Sequence, residues 1–288
     1  LNEGGNTTEP LHSFDHSILG IHTTPQNWIM VSTVDEPTNP DSLCEVYLSK
    51  DQGHSFQLTK TIDRPGGCPR WWSMASNAAG VLYIGEYGPK HHDMSKNLWR
   101  STDQGHSWQR ILTVGVNDQA HVHRIAVDPY TQDVWLTVGD GHANRGIFRS
   151  TDSGDHWSKV FDSQATGIAF TPEGIYWGED LREGEIWYTD RKDLSFRMVF
   201  RASKVGAYGG SSYDLAIGCS NHVYAIFTQY PNQKHHASLW VGQHQDWRLL
   251  IQAAYQPDKA TSLSTIAGPD RRGWLYTNGY RIRDECAG

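Results

Sequence analysis

The sequence has little of what marks a nucleic-acid-binding or membrane-spanning protein. It contains no run of Lys or Arg, and its formal net charge is −7 at pH 7. This balance argues against nucleic acid or an anionic membrane surface as the main partner. No stretch approaches the roughly 20 apolar residues that a membrane-spanning helix needs, so we expect no membrane partner. No long helical pattern and no linker interrupt the 288 residues, which are predicted to form one domain over 1–288.

Cysteine is also scarce, with four residues in the chain. Four cysteines allow three pairings, of which we favour Cys44–Cys68 with Cys219–Cys286, because each bridge would tie neighbouring repeats. The chain starts at Leu1 without an initiator Met and carries the glycosylation sequon Asn6-Thr7-Thr8. These features together indicate a secreted, extracellular glycoprotein with disulfides.

Aromatic residues, in contrast, are plentiful. There are 12 Trp and 13 Tyr, and many of them stand beside polar residues. This mixture is typical of sugar-binding surfaces, and it equally suits the core of a large β protein. Composition alone leaves both interpretations open.

A repeated segment is the strongest pattern in the chain. Three copies align without gaps: "SKDQGHSF" from Ser49, "STDQGHSW" from Ser101 and "STDSGDHW" from Ser150. A fourth, "YTDRKDLSF" from Tyr188, has one inserted residue, and "GQHQDW", ending at Trp247, is a degenerate fifth. The unit recurs about every 40 to 50 residues, which matches a four-stranded propeller blade.

Six pairs of apolar strands accompany these segments. They include "DHSILGIH…NWIMVSTV", "WWSMASNAAGVLYIGEY", "VHRIAVDPYTQDVWLTVGD", "TGIAFTPEGIYWGED", "YDLAIGCSNHVYAIFTQY" and "LSTIAGPDRRGWLYTNG". We therefore predict an all-β fold, a single β-propeller with six blades, with five or seven as alternatives. The N-terminal "LNEGGNTTEPLHS" is predicted to supply the missing outer strand of the last blade and so close the ring.

The repeated segments resemble the Asp-box, or BNR repeat. In that motif the Asp caps backbone amides of a hairpin turn and the Gly takes a positive φ, so the resemblance implies a structural role for these aspartates. The stretch from Glu86 to Trp157 also resembles secreted Asp-box propellers labelled sialidase-like. A sialidase would have an Arg-Ile-Pro element ahead of the first box, and none is present, so sialidase activity is not expected.

The propeller geometry predicts where the functional residues meet. Loops that enter the first strand of each blade and loops that leave its second strand should share one end of the molecule, which is the default site. His121 and His123 stand at i and i+2 of one strand, so their side chains should lie on one side. The residues predicted to share this end are Arg70, Trp71, Tyr87, His91, His92, His121, His123, Asp140, His142, Arg145, Tyr208, Tyr230 and Tyr280.

A site rich in His, Tyr and Arg is suited to β-elimination from a uronic-acid polymer. Arg neutralises the C6 carboxylate, and His or Tyr removes the C5 proton and protonates the leaving O4. Scaffold and residue types resemble propeller-shaped polysaccharide lyases, among them those acting on ulvan, oligogalacturonate and rhamnose–glucuronate linkages. We predict His121, His123, Tyr87 and Arg145 as catalytic, and the other residues of this end as substrate-binding.

Two other classes of function remain open. A glycoside hydrolase would use paired carboxylates, which Glu86, Asp140, Glu179 and Asp180 could supply, whereas a lectin would need only aromatic and hydrogen-bonding groups. The differences from blade to blade favour one composite active site. A divalent ion is a further alternative: Zn²⁺ or Mn²⁺ on His121, His123 and His142, or Ca²⁺ on carbonyl oxygens. The expected partner is a carbohydrate polymer or oligosaccharide, bound by a monomer.

Overall fold

The computed structural model describes most of the chain. The described residues are 10–36, 39, 42–62, 67–88, 96–115, 120–141, 144–229, 234–253, 263, 265–270, 272–277 and 280–283, the last four through their backbone alone. Within them, regular structure consists of β-strands and three short 3₁₀ turns. None of the described residues forms a helix long and apolar enough to cross a bilayer. The predicted N-terminal sequon and the predicted closing segment up to residue 9 lie outside the described residues.

Contacts divide the chain into two compact units. The first comprises Leu1–Arg145 and Arg149–Ser158, and the second comprises Gly146–Phe148 and Lys159–Gly288. Each unit is built from antiparallel sheets whose strands follow one another in chain order. The expectation of a single domain over the whole chain stays a prediction.

Three four-stranded sheets begin in the first unit, and two strands of the third contain residues of both units. Their strands are β1 (Ser17–Thr23), β2 (Ile29–Val34), β3 (Cys44–Ser49) and β4 (Gln57–Ile62); β5 (Met74–Ser76), β6 (Leu82–Gly85), β7 (Lys96–Ser101) and β8 (Gln109–Val114); and β9 (His121–Val127), β10 (Val134–Gly139), β11 (Gly146–Ser150) and β12 (Ser158–Phe161). A 3₁₀ turn, Trp71–Ser73, precedes β5.

The second unit contains two four-stranded sheets and one three-stranded sheet among its described residues. Their strands are β13 (Ala165–Phe170), β14 (Gly174–Glu179), β15 (Glu185–Asp190) and β16 (Phe196–Arg201); β17 (Asp214–Ile217), β18 (Val223–Phe227), β19 (Ser238–Gln243) and β20 (Asp246–Gln252); and β21 (Ile266–Ala267), β22 (Trp274–Thr277) and β23 (Tyr280–Arg283). Each of the six predicted hairpins therefore forms the first two strands of a sheet. The number of blades stays a prediction.

Apolar side chains from neighbouring sheets form the core of each unit. In the first unit, Met30, Val46, Leu82 and Ile84 are fully buried in one cluster. In the second unit, a corresponding cluster includes Ile186, Val223, Ala225 and Phe227. This is the expected result of apolar side chains on both faces of strands packed between other sheets.

The repeated segments form the turns between third and fourth strands. In the turn between β7 and β8, both carboxylate oxygens of Asp103 accept hydrogen bonds from Ser107, at 2.9 Å from its amide and 2.6 Å from its hydroxyl. Gly105 has a φ of +88°, as the repeat predicts. These hydrogen bonds lower the pKa of Asp103 to about 2, because they stabilise the charged form. The Asp103 carboxylate therefore has a structural role in this turn.

One predicted disulfide is present. Cys44 of β3 is bonded to Cys68, which lies between β4 and β5. Cys219 is also disulfide-bonded, and Cys286, its predicted partner, lies outside the described residues. A disulfide is consistent with an extracellular protein.

Candidate functional site

The two histidines of β9 lie side by side, as the i, i+2 spacing predicts. Their ring centroids are 4.8 Å apart, and both side chains are buried, with 1% and 3% of their surface exposed. The ladder with β10 pairs His121 with Gly139, and Val122 with Val138, and then moves to Arg124 with Thr137. His123 is therefore the additional residue of a β-bulge, a feature that re-aims a side chain within a sheet.

Gly139 makes room for the ring of His123. A Cβ atom at position 139 would lie 2.0 Å from Cε1 of that imidazole and 2.3 Å from its Nδ1. Any side chain there would displace the ring. Only glycine therefore allows His123 to lie against β10 beside His121.

Asp140 brings a carboxylate onto both imidazoles. It follows β10 directly and has a φ of +64°, a left-handed conformation that Asp tolerates better than most residues. Its Oδ2 lies 3.2 Å from Nε2 of His121 and 3.6 Å from Nε2 of His123. The side chain remains 20% exposed. We refer to His121, His123 and Asp140 as the imidazole–carboxylate cluster.

The cluster has the composition of a metal site. One ligand atom from each of its three residues lies within 4.8 Å of the others. Among the described residues it is the one group of His, Cys, Asp and Glu that meets this condition. His142, predicted as a further ligand, lies outside the described residues.

A row of aromatic rings leads to the cluster. The ring of Tyr87 contacts that of His121 edge to face, with centroids 4.2 Å apart. Trp72 follows at 5.1 Å from Tyr87, and Trp71 at 5.2 Å from Trp72. All three side chains of this aromatic row are partly exposed. Edge-to-face contacts at these distances stabilise the arrangement beyond simple burial.

The disulfide positions Tyr87. The backbone amide of Tyr87 donates a hydrogen bond to the carbonyl of Cys68, at 3.3 Å, and the two residues form an isolated β-bridge. Since Cys68 is bonded covalently to fully buried Cys44, this segment is anchored to β3. The aromatic row is therefore held from two directions, by the first sheet and by β9.

Arg124 follows His123 in β9 and was not predicted from the sequence. Its guanidinium carbon is 5.0 Å from the ring centroid of Trp71, within the range of a cation–π interaction. It is also close enough to His22 to lower the pKa of that imidazole, after the larger effect of burial, to about 4. Position 124 directly follows the bulge, so the alternation of the strand does not predict where its side chain lies, and no local signal in the sequence identifies it.

Glu86, a candidate carboxylate for hydrolysis, has a structural environment. It is 2% exposed. Its carboxylate accepts hydrogen bonds from the Trp99 indole at 2.8 Å and from the amide of Asn97 at 2.9 Å. Burial raises the pKa of Glu86 above the ordinary range for Glu. The hydrogen bonds of its carboxylate connect the end of β6 to β7.

The other predicted residues fall into four groups. Arg70 and Arg145 are in the first unit: the amide of Arg70 donates to Ser73 Oγ at 2.9 Å, and Arg145 is exposed between β10 and β11. Tyr208 is in the second unit, where its hydroxyl donates to Gln252 at 2.8 Å. Tyr280 is described only as backbone of β23. His91, His92, His142 and Tyr230 lie outside the described residues.

Sequence comparison provides no family. No family model matches the chain, and no curated protein matches its sequence.

Structure comparison does find neighbours. A GH74 xyloglucanase from Xanthomonas campestris aligns with a TM-score of 0.59 and 15% identity, covering 82% of this chain and 38% of that one. YCF48 bound to D1 peptide aligns with a TM-score of 0.56 and 12% identity, covering 91% and 75%. The extracellular domain of a hybrid two-component system from B. thetaiotaomicron also reaches 0.56, at 10% identity, covering 91% and 37%.

The fold is a β-propeller. The neighbours share this fold, and at 10 to 15% identity the likeness concerns the fold alone. The chain spans less than two fifths of the length of the xyloglucanase chain and of the two-component-system chain. Because one fold supports many activities, function has to be argued from the site.

Proposed function

We propose that this propeller is a carbohydrate-active enzyme that cleaves a glucuronate-type linkage by β-elimination. The observation that carries the proposal is the continuous series of ring contacts from Trp71 to His123, which ends on Asp140. A surface of aromatic rings is suited to a sugar chain, and the cluster at its end is suited to proton transfer and charge stabilisation. The two functions meet at Tyr87.

The aromatic row supports a carbohydrate as the substrate. Trp71 and Trp72 are partly exposed, and large rigid rings provide apolar contact area with a polar edge. The cation of Arg124 over Trp71 adds a positive charge that favours an acidic sugar. That a propeller neighbour is named a xyloglucanase is compatible with polysaccharide chemistry on this fold.

Burial suggests a division of roles in the cluster. His121 and His123 are nearly inaccessible, whereas Tyr87 is partly exposed and touches His121. Tyr87 is therefore the group that reaches the polymer, and the two imidazoles act behind it. Arg145, which is exposed on the connection after Asp140, is assigned to the C6 carboxylate because its fork of donors matches a carboxylate.

The proposed reaction balances without a co-reactant. Tyr87 reacts as the phenolate, its hydroxyl proton having passed to the imidazole–carboxylate cluster beside it. The phenolate removes the C5 proton, the C4–O4 bond breaks as the C4–C5 double bond forms, and the same proton passes to the leaving O4, which returns Tyr87 to the phenolate. One chain thus becomes an unsaturated uronate end and a new hydroxyl end.

A panel of uronic-acid polysaccharides tests this function. Ultraviolet absorbance from the new double bond, appearing together with reducing ends, is the expected result. Reducing ends without that absorbance would indicate hydrolysis, and binding with neither signal would indicate a lectin; both outcomes would contradict the proposal.

Removing the hydroxyl of Tyr87 tests the role of that residue. Tyr87→Phe is expected to lower kcat at least about 100-fold, the scale of a lost acid–base group, because the ring contact with His121 remains while the proton carrier is lost. The matched control is Tyr47→Phe. The Tyr47 hydroxyl donates to Glu45 at 2.8 Å in the first sheet, and this variant should retain activity. Full activity of Tyr87→Phe would refute the assignment.

A further inference from the structure

We infer that the imidazole–carboxylate cluster is a binding site for one divalent transition-metal ion of the zinc class. This inference concerns binding and stands apart from the reaction proposed above. It is carried by three observations: the separations of the ligand atoms, the chemistry of the ligand set and the way the surrounding backbone holds it.

The separations fit a shared ion. Two ligands bound to one ion at about 2.0 to 2.2 Å lie roughly 3.0 to 3.6 Å apart, for octahedral to tetrahedral geometry. Oδ2 of Asp140 lies 3.2 and 3.6 Å from the two Nε2 atoms. All three ligand atoms lie within 4.8 Å of one another, so side-chain rotations that bring the two imidazoles closer by up to about 1.2 Å place all three atoms around one ion.

The ligand types favour a transition metal over Ca²⁺ or Mg²⁺. Imidazole nitrogens suit Zn²⁺ and its neighbours in the first row, whereas Ca²⁺ and Mg²⁺ prefer sites made of oxygen atoms. Three protein ligands and one open position are typical of catalytic rather than structural zinc. Asp140 is the most exposed of the three residues, which places the open position on its side.

The backbone holds the ligands before an ion binds. His123 is fixed by the bulge in β9 and by the absence of a side chain at Gly139, and Asp140 is turned back by its left-handed φ. The edge of Tyr87 packs on His121. Such supporting contacts orient metal ligands and raise affinity.

Direct metal binding tests the inference. The full chain is stripped with chelator and dialysed, then titrated calorimetrically with Zn²⁺, and with Co²⁺ under observation of its visible d–d absorption. We expect one equivalent per chain, a coordinated Co²⁺ spectrum that Zn²⁺ abolishes, and a rise in the unfolding temperature on metal addition.

Variants locate the site. His123→Gln and the isosteric Asp140→Asn should each weaken Zn²⁺ binding at least about 100-fold, since even a lost supporting contact costs about 10- to 100-fold. His22→Gln is the matched control: His22 is a partly buried histidine of the same unit whose Nε2 lies 2.9 Å from Ser76 Oγ, and this variant should bind like the natural chain. Circular dichroism confirms that each variant is folded, and Asp140→Asn keeps the test informative if His123→Gln does not fold.

Two results would overturn the inference: no stoichiometric uptake by the natural chain, or uptake unchanged in both ligand variants. The reaction is scored separately. Metal binding without the double-bond signal supports the metal site and refutes the lyase, whereas elimination by a protein that takes up no stoichiometric metal refutes the metal site and supports the lyase.

Discussion

The hairpins β9–β10 and β13–β14 each have a β-bulge in their first strand, and the residue at the bulge has a different role in each. In β13 the ladder pairs Ala165 with Glu179 and then Gly167 with Gly178, so Thr166 is the additional residue of a bulge. In β9 the corresponding residue is His123. Each bulge inserts one additional polar residue between two pairs of the ladder.

The side chains at the two bulges have different fates. The hydroxyl of Thr166 donates to the carbonyl of Ser212 at 2.8 Å, and Gln164, two residues earlier, donates to the carbonyl of Asp180 at 3.1 Å. These polar groups are used to join backbone segments. His123 and His121 instead meet one carboxylate oxygen. A bulge therefore only determines where an additional side chain lies. The identity of the residue at the bulge decides whether that side chain joins backbone segments or contributes to a chemical site.

The largest effect is expected from a methyl group added to the strand that pairs with each bulged strand. Gly139→Ala should displace His123, weaken Zn²⁺ binding at least about 100-fold and destabilise the protein by about 1 to 3 kcal/mol through overpacking. Gly178→Ala in β14 is the matched change. Its Cβ would lie 2.5 Å from Ser212 Oγ and 2.7 Å from the Ser212 carbonyl oxygen, so it should lower stability similarly and leave Zn²⁺ binding intact.

Urea unfolding and calorimetry check this pair. Because the obstacle at Gly139 is a side chain, the double variant Gly139→Ala with His123→Ala should be more stable than the sum of the two single changes implies. Additive losses would show that His123 does not occupy the space above Gly139.

The sequence predicted the sheets and the pair of histidines because both depend on short-range regularities. Turn residues at fixed offsets predicted the segments around Asp103 and its counterparts, and the two-residue period of a strand predicted that His121 and His123 are neighbours. Asp140 was placed near them since it follows the paired strand. Those relations are set within one hairpin, where chain connectivity limits the alternatives.

The remaining parts of the site could not be read from the sequence, because they depend on contacts between sheets. The bulge at His123 shifts the pairing of β9 with β10, which the sequence does not reveal. The need for glycine at position 139 becomes visible only when the imidazole ring beside it is located. The contact of Arg124 with Trp71 joins β9 to the turn before β5. Nothing in the local pattern distinguishes this arginine from a solvated one.

A third histidine sharpens the comparison within the first unit. Burial, and then the charge of Arg124, lower the pKa of His22 to about 4 from an unfolded value near 6.5. Between these values the unfolded chain binds a proton that the folded chain does not, so stability falls as the pH is lowered from 6.5 to 4 and is unaffected by this group outside that window.

The free energy of unfolding is expected to fall by at most about 3 kcal/mol between pH 6.5 and pH 4. One pKa unit corresponds to about 1.4 kcal/mol, and the partial exposure of His22 reduces the effect. Urea unfolding at pH 7 and pH 4 measures it. His22→Gln should remove this part of the pH dependence. An unchanged difference between the two pH values in the variant would show that other groups are responsible.

The smallest effect is expected at the structural bulge. Thr166→Val keeps the shape of the side chain and removes the hydroxyl that donates to Ser212, so the lost hydrogen bond should cost about 1 to 2 kcal/mol. Urea unfolding gives this value, and Zn²⁺ titration of the same variant should be unchanged. At the other bulge, His123→Gln should show the reverse pattern, with a large loss of metal affinity. Weaker Zn²⁺ binding by Thr166→Val would contradict the distinction between a structural and a chemical bulge. The buried Thr166 hydroxyl of the second unit would then contribute to the imidazole–carboxylate cluster of the first unit.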